Sequence, residues 1–207
     1  SNYNLGVAQM NQRHYQNALQ AFKKAIESGE NQTVAAINAA VCSLYLNDKA
    51  KFDYYVDLAY VYLPNESRSQ LFNYYLSLIY YYKGFYPEAL QMLQKIDNEI
   101  YADNAKYLSA KIYAKMGLNE RALQNLQRQG SYESSLPMGL LYARVGDYAK
   151  ATAALERSMK IDKERNTSIA ALNLIDLKVG NYQSMLYRTN VYFAGEENLI
   201  LDRHKIK

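Results

Sequence analysis

This 207-residue chain has one cysteine, two histidines, three prolines and no tryptophan. The single Cys42 excludes an internal disulfide framework and leaves the redox compartment open. His14 and His204 stand far apart, with no cysteine or carboxylate at ligand spacing, which argues against a metal site. Charge is also sparse. Charged residues make up 21% and the net charge is +4, too little to argue for nucleic acid. The apolar stretch around Tyr80 is broken by Lys83 and is too polar to span a membrane. No secretory signal is present. The chain opens at Ser1 and Asn2 already inside a helical pattern, as a segment of a longer protein would, so a signal, an anchor or further repeats would lie outside it. Gly-rich phosphate loops, nucleophile elbows and His-Glu-x-x-His helices are all missing, so no catalytic set and no cofactor are expected. Glu88, Glu120 and Glu156 read as solvated charges on outer faces.

What is present is repetition. Tyr80-Tyr-Tyr-Lys-Gly84, Tyr113-Ala-Lys-Met-Gly117, Tyr142-Ala-Arg-Val-Gly146 and Asp176-Leu-Lys-Val-Gly180 are variants of one phrase. Each reads as a helix that ends in glycine, with a second helix starting two or three residues on. The glycines are 33, 29 and 34 residues apart, the period of stacked helical hairpins. Such architectures offer extended binding surfaces rather than catalytic pockets.

Charge divides along the chain. Residues 1–103 hold 8 basic and 10 acidic side chains, whereas residues 104–207 hold 16 and 10. The C-terminal half is therefore the basic half.

The segment Gly146-Asp-Tyr-Ala-Lys-Ala151 to Leu155 and Ile161 resembles the second helix of a tetratricopeptide repeat along its full length. Leu5-Gly6 followed by Tyr15, Ala18, Phe22 and Ala25 resembles it next best. The resemblance implies an all-α fold, a right-handed superhelical solenoid of antiparallel helix hairpins over residues 1–195. Six repeats are expected near 2–30, 34–63, 69–98, 103–129, 134–162 and 167–193, with 196–207 opening a further or capping helix.

Small residues are needed where paired helices approach within about 8–10 Å. Gly6, Ala40, Ser77, Ala110 and Gly139 fill that place on the first helices, with Asn173 departing. Ala18, Ala89, Ala122 and Ala151 fill it on the second, with Phe52 and Met185 departing. Phe22, Val56, Leu93, Leu126 and Leu155 close the second helices, and Thr189 stands there in the last. The first two hairpins carry Arg13 and Asn47 where the others carry the helix-end glycine.

Two intervals depart from the period. The step from the second to the third unit is 37 residues, and the extra three fall in Leu63–Arg68, with Ser67 as a candidate N-cap. Pro64 closes the preceding helix there, and Pro87 sits in the first turn of the next second helix. The step from the fourth to the fifth is 29, which predicts helices shortened by about a turn and a kink near Gly130.

In this family the first helices line a concave groove. The face recurring at i, i+4, i+7 and i+8 carries Tyr45, Tyr74, Leu78, Tyr81, Tyr82 and Tyr107, then the basic Lys111, Lys115, Arg144 and Lys178. Ile37 lies on the same face. Tyr offers large contact area at low entropy cost, and the basic line favours an acidic stretch or a C-terminal carboxylate. Tyr also packs between units in such repeats, and a surface Lys is ordinarily solvated. Three consecutive tyrosines, 80–82, turn about 100° each and so do not share one core. Asn4 and Asn38 hold equivalent places one repeat apart, suited to the backbone of an extended peptide. Some relatives clamp acidic chaperone tails with Lys and Asn on three first helices. Here only Asn38 matches, while Tyr3, Val7, Leu71 and Tyr75 stand at the other places, so that ligand is rejected. Cys42 falls in an apolar column with Ala8, Ile79, Ile112, Leu141 and Ile175 and reads as core.

The leading expectation is a non-enzymatic module that binds a partner protein or peptide, acidic in character, in the groove. The alternative is one section of a longer solenoid in a bacterial secretion, pilus or motility assembly, with self-association through a terminal hairpin. RNA binding is a third reading, opposed by the low charge and by base-reading side chains that do not recur. The sequence does not choose between cytoplasm and periplasm.

Overall fold

The computed structural model describes residues 1–127, 135–161 and 164–193, the last five of these by backbone alone. Twelve α-helices and one 3-10 helix account for the regular structure among them, and no strand occurs. The chain divides into two compact units, Ser1–Ile112 and Tyr113–Lys207.

The first unit contains α1 (Asn2–Asn11), α2 (Tyr15–Glu27), α3 (Gln32–Tyr45), α4 (Lys49–Tyr62), the 3-10 helix Leu63–Glu66, α5 (Phe72–Lys83), α6 (Tyr86–Gln94) and most of α7 (Glu99–Lys115). Consecutive helices pair as hairpins, and α2 packs on α3 and α4 on α5 to join one hairpin to the next. The second unit contains the end of α7, then α8 (Asn119–Gln127), α9 (Ser135–Arg144), α10 (Tyr148–Ser158), α11 (Arg165–Val179) and α12 (Tyr182–Phe193). There α8 packs on α9, α9 on α10, α10 on α11 and α11 on α12.

The hairpin turns share one hydrogen-bond pattern. The amide two or three residues past the helix donates to the carbonyl five residues back: His14 to Gln9 at 2.9 Å, Asp48 to Ser43 at 2.9 Å, Phe85 to Tyr80 at 2.8 Å, Leu118 to Tyr113 at 2.8 Å, Asp147 to Tyr142 at 2.9 Å and Asn181 to Asp176 at 2.8 Å. This closure needs its central residue in the left-handed region. Gly84, Gly117, Gly146 and Gly180 supply it with φ of 82, 79, 86 and 80°. Arg13 and Asn47 adopt the same conformation at 64 and 58° despite their Cβ atoms. Gly84, Gly117, Gly146 and Gly180 have open space around them, so the constraint there is the backbone angle alone.

Gly6 and Gly139 are constrained by space instead. A Cβ on Gly6 would come within 2.6 Å of the Phe22 ring, and one on Gly139 within 2.6 Å of Leu155. These are the expected close contacts between paired helices. Ala18, Ala40, Ala89 and Ala151 are fully buried at equivalent contacts. Helix starts use local caps where the sequence provides them. Ser1, Asp48 and Asp147 side chains accept from the amides of Asn4, Lys51 and Lys150; such caps stabilise a helix by about 1 kcal/mol.

Several expectations are corrected. Ser67 does not cap α5; it follows the 3-10 helix, and Ser69 Oγ accepts from the Leu71 amide at 3.0 Å. The first helix of the fourth hairpin starts at Glu99, earlier than the repeat pattern placed it, because Asn98 Oδ1 accepts from the Ile100 amide and opens the helix there. Ile37 is buried rather than groove-facing, and Ala8 is exposed rather than core. The residues 128–134 between α8 and α9, where the short step falls, lie outside the described residues. Gly130, where a kink was expected, and the 196–207 helix lie outside the described residues, as does the Thr189 side chain.

The departures at the last hairpin have a physical reason. Asn173 does not leave a loose contact: its Oδ1 accepts from Arg188 Nη1 at 2.9 Å, and the same nitrogen pairs with Asp176 Oδ2 at 2.8 Å. Arg188 and Asp176 are both buried, so α11 and α12 are joined by a hydrogen-bonded ion pair.

Candidate functional site

In the first unit the groove tyrosines converge on one face. Tyr74 and Leu78 on α5 pack against both apolar clusters of the unit, the one built on Phe22, Phe52 and Ile79 and the one built on Leu93, Leu108 and Ile112. They are only half-buried, so their remaining surface stays accessible. Tyr82 meets the Phe52 ring edge-on, 5.6 Å between centroids, and Tyr81 lies 5.2 Å from Tyr82. Tyr81 also reaches Tyr86 at 6.1 Å. Tyr80 turns away toward Phe85 at 6.3 Å. The three consecutive tyrosines thus serve three directions, and none is fully buried.

Electrostatics shows the same neighbourhood. Burial raises the pKa of Tyr82 well above the ordinary phenol value, and the Tyr81, Tyr74 and Tyr45 phenols add to the rise. Burial, then Tyr86 and Tyr107, raises Tyr81, and burial alone raises Tyr74. These hydroxyls therefore remain protonated donors at any physiological pH. Lys111 Nζ lies 4.9 Å from the Tyr107 ring centroid. Its side chain is exposed, yet desolvation lowers its pKa. A group that water reaches from one side while protein surrounds the others has both properties. No carboxylate pairs with it among the described residues.

Tyr45 is the most open member, 64% exposed, and its ring stacks on Tyr15 at 4.4 Å with an interplanar angle of 3°. Tyr15, Phe52 and Tyr86 were not anticipated, because they lie on second helices rather than on the groove-lining first ones. A signal existed: Tyr15, Tyr86, Tyr148 and Tyr182 each open a second helix directly after the turn. Asn38 is half-buried and lies against the Tyr3 phenol, restraining the pKa rise that burial causes there. Asn4 is exposed, with its amide tied to Ser1 Oγ at 3.2 Å.

The second unit places Lys115, Arg144 and Lys178. All three are exposed. Arg144 Nη1 donates to the Ala114 carbonyl at 3.2 Å and to Asn119 Oδ1 at 3.3 Å. Lys178 Nζ stands 5.6 Å from the Tyr148 ring centroid, and its hydrogen bond to that phenol raises its pKa. Neither cation is neutralised by a carboxylate among the described residues. Cys42 is buried, and desolvation pushes its thiol up to about 11, which suits core and not reactivity. Among the described residues, no group of three or more His, Cys, Asp and Glu could hold a metal ion, and no helix is long and apolar enough to cross a membrane.

Paired antiparallel helices with a recurring stop, small residues at most crossings and no strand among the described residues define an all-α helical-repeat protein. The tetratricopeptide repeat profile matches residues 1–30 and 136–165, so the first hairpin and the α9–α10 hairpin carry the pattern of that family. No curated protein matches it by sequence. Solved structures share the fold. A thermophilic tetratricopeptide repeat protein of Thermus thermophilus is similar with a TM-score of 0.65 at 19% identity, over 83% of this chain and 97% of its own. PilW, a widely conserved type IV pilus biogenesis factor, is similar at 0.64 and 16%, over 97% and 96%. NprR, solved in complex with its cognate peptide NprX, is similar at 0.63 and 18%, over 98% of this chain and 68% of its own.

Proposed function

We propose that the first unit binds a segment of a partner protein across the face formed by Tyr45, Tyr74, Leu78, Tyr81, Tyr82, Tyr107 and Lys111. The observation that carries this reading is the half-exposure of this run of tyrosines. The Tyr74, Tyr81 and Tyr82 rings are held by packing, so little side-chain entropy remains to be lost on binding, while burial keeps their hydroxyls protonated. Lys111 has no ion-pair partner among the described residues and favours a segment with an acidic side chain or terminal carboxylate beside it. Asn4 and Asn38 would meet the backbone of that segment, and Lys115, Arg144 and Lys178 would favour acidic residues in a partner. NprR, similar in fold, binds a peptide. The role is non-catalytic. Photo-crosslinking from p-benzoylphenylalanine at position 45 in native cells tests the proposal. A discrete adduct whose yield falls at least fivefold with Lys111→Gln and Tyr82→Phe is expected. An adduct insensitive to both substitutions, or none, contradicts it.

A second reading is an assembly role through the last described hairpin. Leu174, Leu177, Leu186 and Tyr187 on α11 and α12 are exposed, Tyr187 by 72%. Such apolar surface favours a contact with a neighbouring subunit or a second copy. PilW, similar in fold, belongs to a pilus biogenesis system. Sedimentation of the chain with and without Leu174→Glu and Leu186→Glu tests self-association: loss of a dimer supports it, and a monomer throughout opposes it.

A further inference from the structure

A second surface lies apart from the tyrosine groove of the first unit. The extra residues between the second and third hairpins form the 3-10 helix Leu63–Glu66, and beside it opens a cleft of about 360 Å³ between α4 and α5. Leu63 and Leu76 contribute apolar surface to its lining. Tyr60, Pro64, Phe72 and Tyr80 add four rings, and Ser67 adds a hydroxyl. The lining carries no charged side chain. The Tyr60, Tyr80 and Ser67 hydroxyls have no partner in the protein among the described residues. Lys83 lies 6.0 Å from the Tyr60 ring centroid and is already paired with Asp57.

We propose that this cleft takes a proline-rich segment of a partner protein in the polyproline II conformation. Complementarity selects that occupant. The cleft offers rings and three free hydroxyl donors but no charge, so it matches an uncharged segment that brings acceptors. A polyproline II chain has no internal hydrogen bonds and leaves its carbonyls free to accept. An α-helical segment has already used its carbonyls and has none to offer the hydroxyls. A β-strand needs a sheet edge to pair with, which two helices do not offer. An acidic segment would find no free cation in the lining. Prolyl rings between aromatic side chains also lose little entropy on binding, since the segment is stiff before it docks.

The test uses the whole chain, 15N-labelled, titrated with the acetylated and amidated octapeptide Pro-Pro-Leu-Pro-Pro-Leu-Pro-Pro. Saturable amide shifts confined to residues around Tyr60, Ser67, Phe72 and Tyr80 are expected. Tyr60→Phe and Tyr80→Phe keep the rings and the fold, and each should raise Kd by about three- to tenfold, the effect of losing one hydrogen bond. The matching peptide with alanine for proline, which favours helix, should bind at least tenfold more weakly. No saturable shift, unchanged Kd in both phenylalanine variants, equal or tighter binding of the alanine peptide, or dilution-dependent shifts of the same amides without peptide would each overturn the proposal. None of these outcomes bears on the groove, whose residues report separately in the same spectra.

Discussion

Tyr15 with Tyr45 in the first unit and Tyr148 with Lys178 in the second are the same pair in the repeat, separated by the same interval in sequence. In the first, two rings stack at 4.4 Å. In the second, an ammonium stands 5.6 Å from a ring centroid and bonds its hydroxyl. The backbone closure before each pair is identical in kind. The repeat therefore fixes a place, the start of one second helix against the end of the next first helix, and leaves the chemistry at that place free. The first unit spends it on aromatic surface and the second on positive charge. The same contrast runs through the interiors. The hairpins of the first unit close on apolar contacts, whereas α11 and α12 close on the buried Arg188–Asp176 pair.

Breaking that pair should give the largest effect. Asp176→Ala leaves Arg188 buried and uncompensated, which costs about 3–5 kcal/mol. Urea unfolding of the second unit measures it, and joint replacement of Arg188 by Met and Asp176 by Leu should restore most of the loss. No substitution of an exposed groove residue in the first unit, such as Tyr45→Ala, should approach that figure. The crossing points come next. Gly139→Ala drives a Cβ to 2.6 Å from Leu155 and 3.3 Å from the Ala151 carbonyl, and should cost about 1–3 kcal/mol by the same measurement.

The helix stops should show opposite signs in the two units. Gly146→Ala in the second places a Cβ in the left-handed region and should cost about 1 kcal/mol. Arg13→Gly in the first removes one from the same region, and should gain a few tenths to about 1 kcal/mol, less for Asn47→Gly because Asn tolerates that conformation.

Alkaline pH concerns the first unit. Burial raises Cys42 from 9.0 to about 11, and raises Tyr75 from 10.0 to about 12 with help from Glu66 and neighbouring phenols. Between those values the unfolded chain releases protons that the folded chain retains. Stability is therefore full below pH 9 and declines as pH rises toward 11 and 12. The urea midpoint of the first unit should fall over that window, less so in Cys42→Ala.

Much of this fold was legible in the sequence, for reasons that are local. The helix-end glycines, and Arg13 and Asn47 in their place, follow from one backbone angle that one residue must adopt. The small residues at the crossings follow from a distance that one side chain must respect. The placing of Tyr74, Tyr81 and Tyr82 on one helix was legible, since helical spacing fixes which residues lie near one another, whereas Ile37, read onto the same face, is buried. Tyr15 and Phe52 were missed because their partners come from the next repeat, and helical spacing within one element says nothing of that. Arg188 was missed for a related reason: Asn173 and Met185 read as departures from a packing rule, and only the folded pair shows a polar contact replacing an apolar one. Ser67 resembled a cap because a Ser beside a turn is common, but the 3-10 helix ends there and α5 starts later.

The central claim is that the aromatic face of the first unit is where a partner lies. Hydrogen exchange of the chain, alone and with the partner captured through position 45 and then purified without the crosslink, tests it most directly. The account predicts slowed exchange at the end of α3, along α5 and in α7 around Tyr107 and Lys111, with α12 unchanged. Slowed exchange confined to α11 and α12, with α5 unaffected, would contradict it.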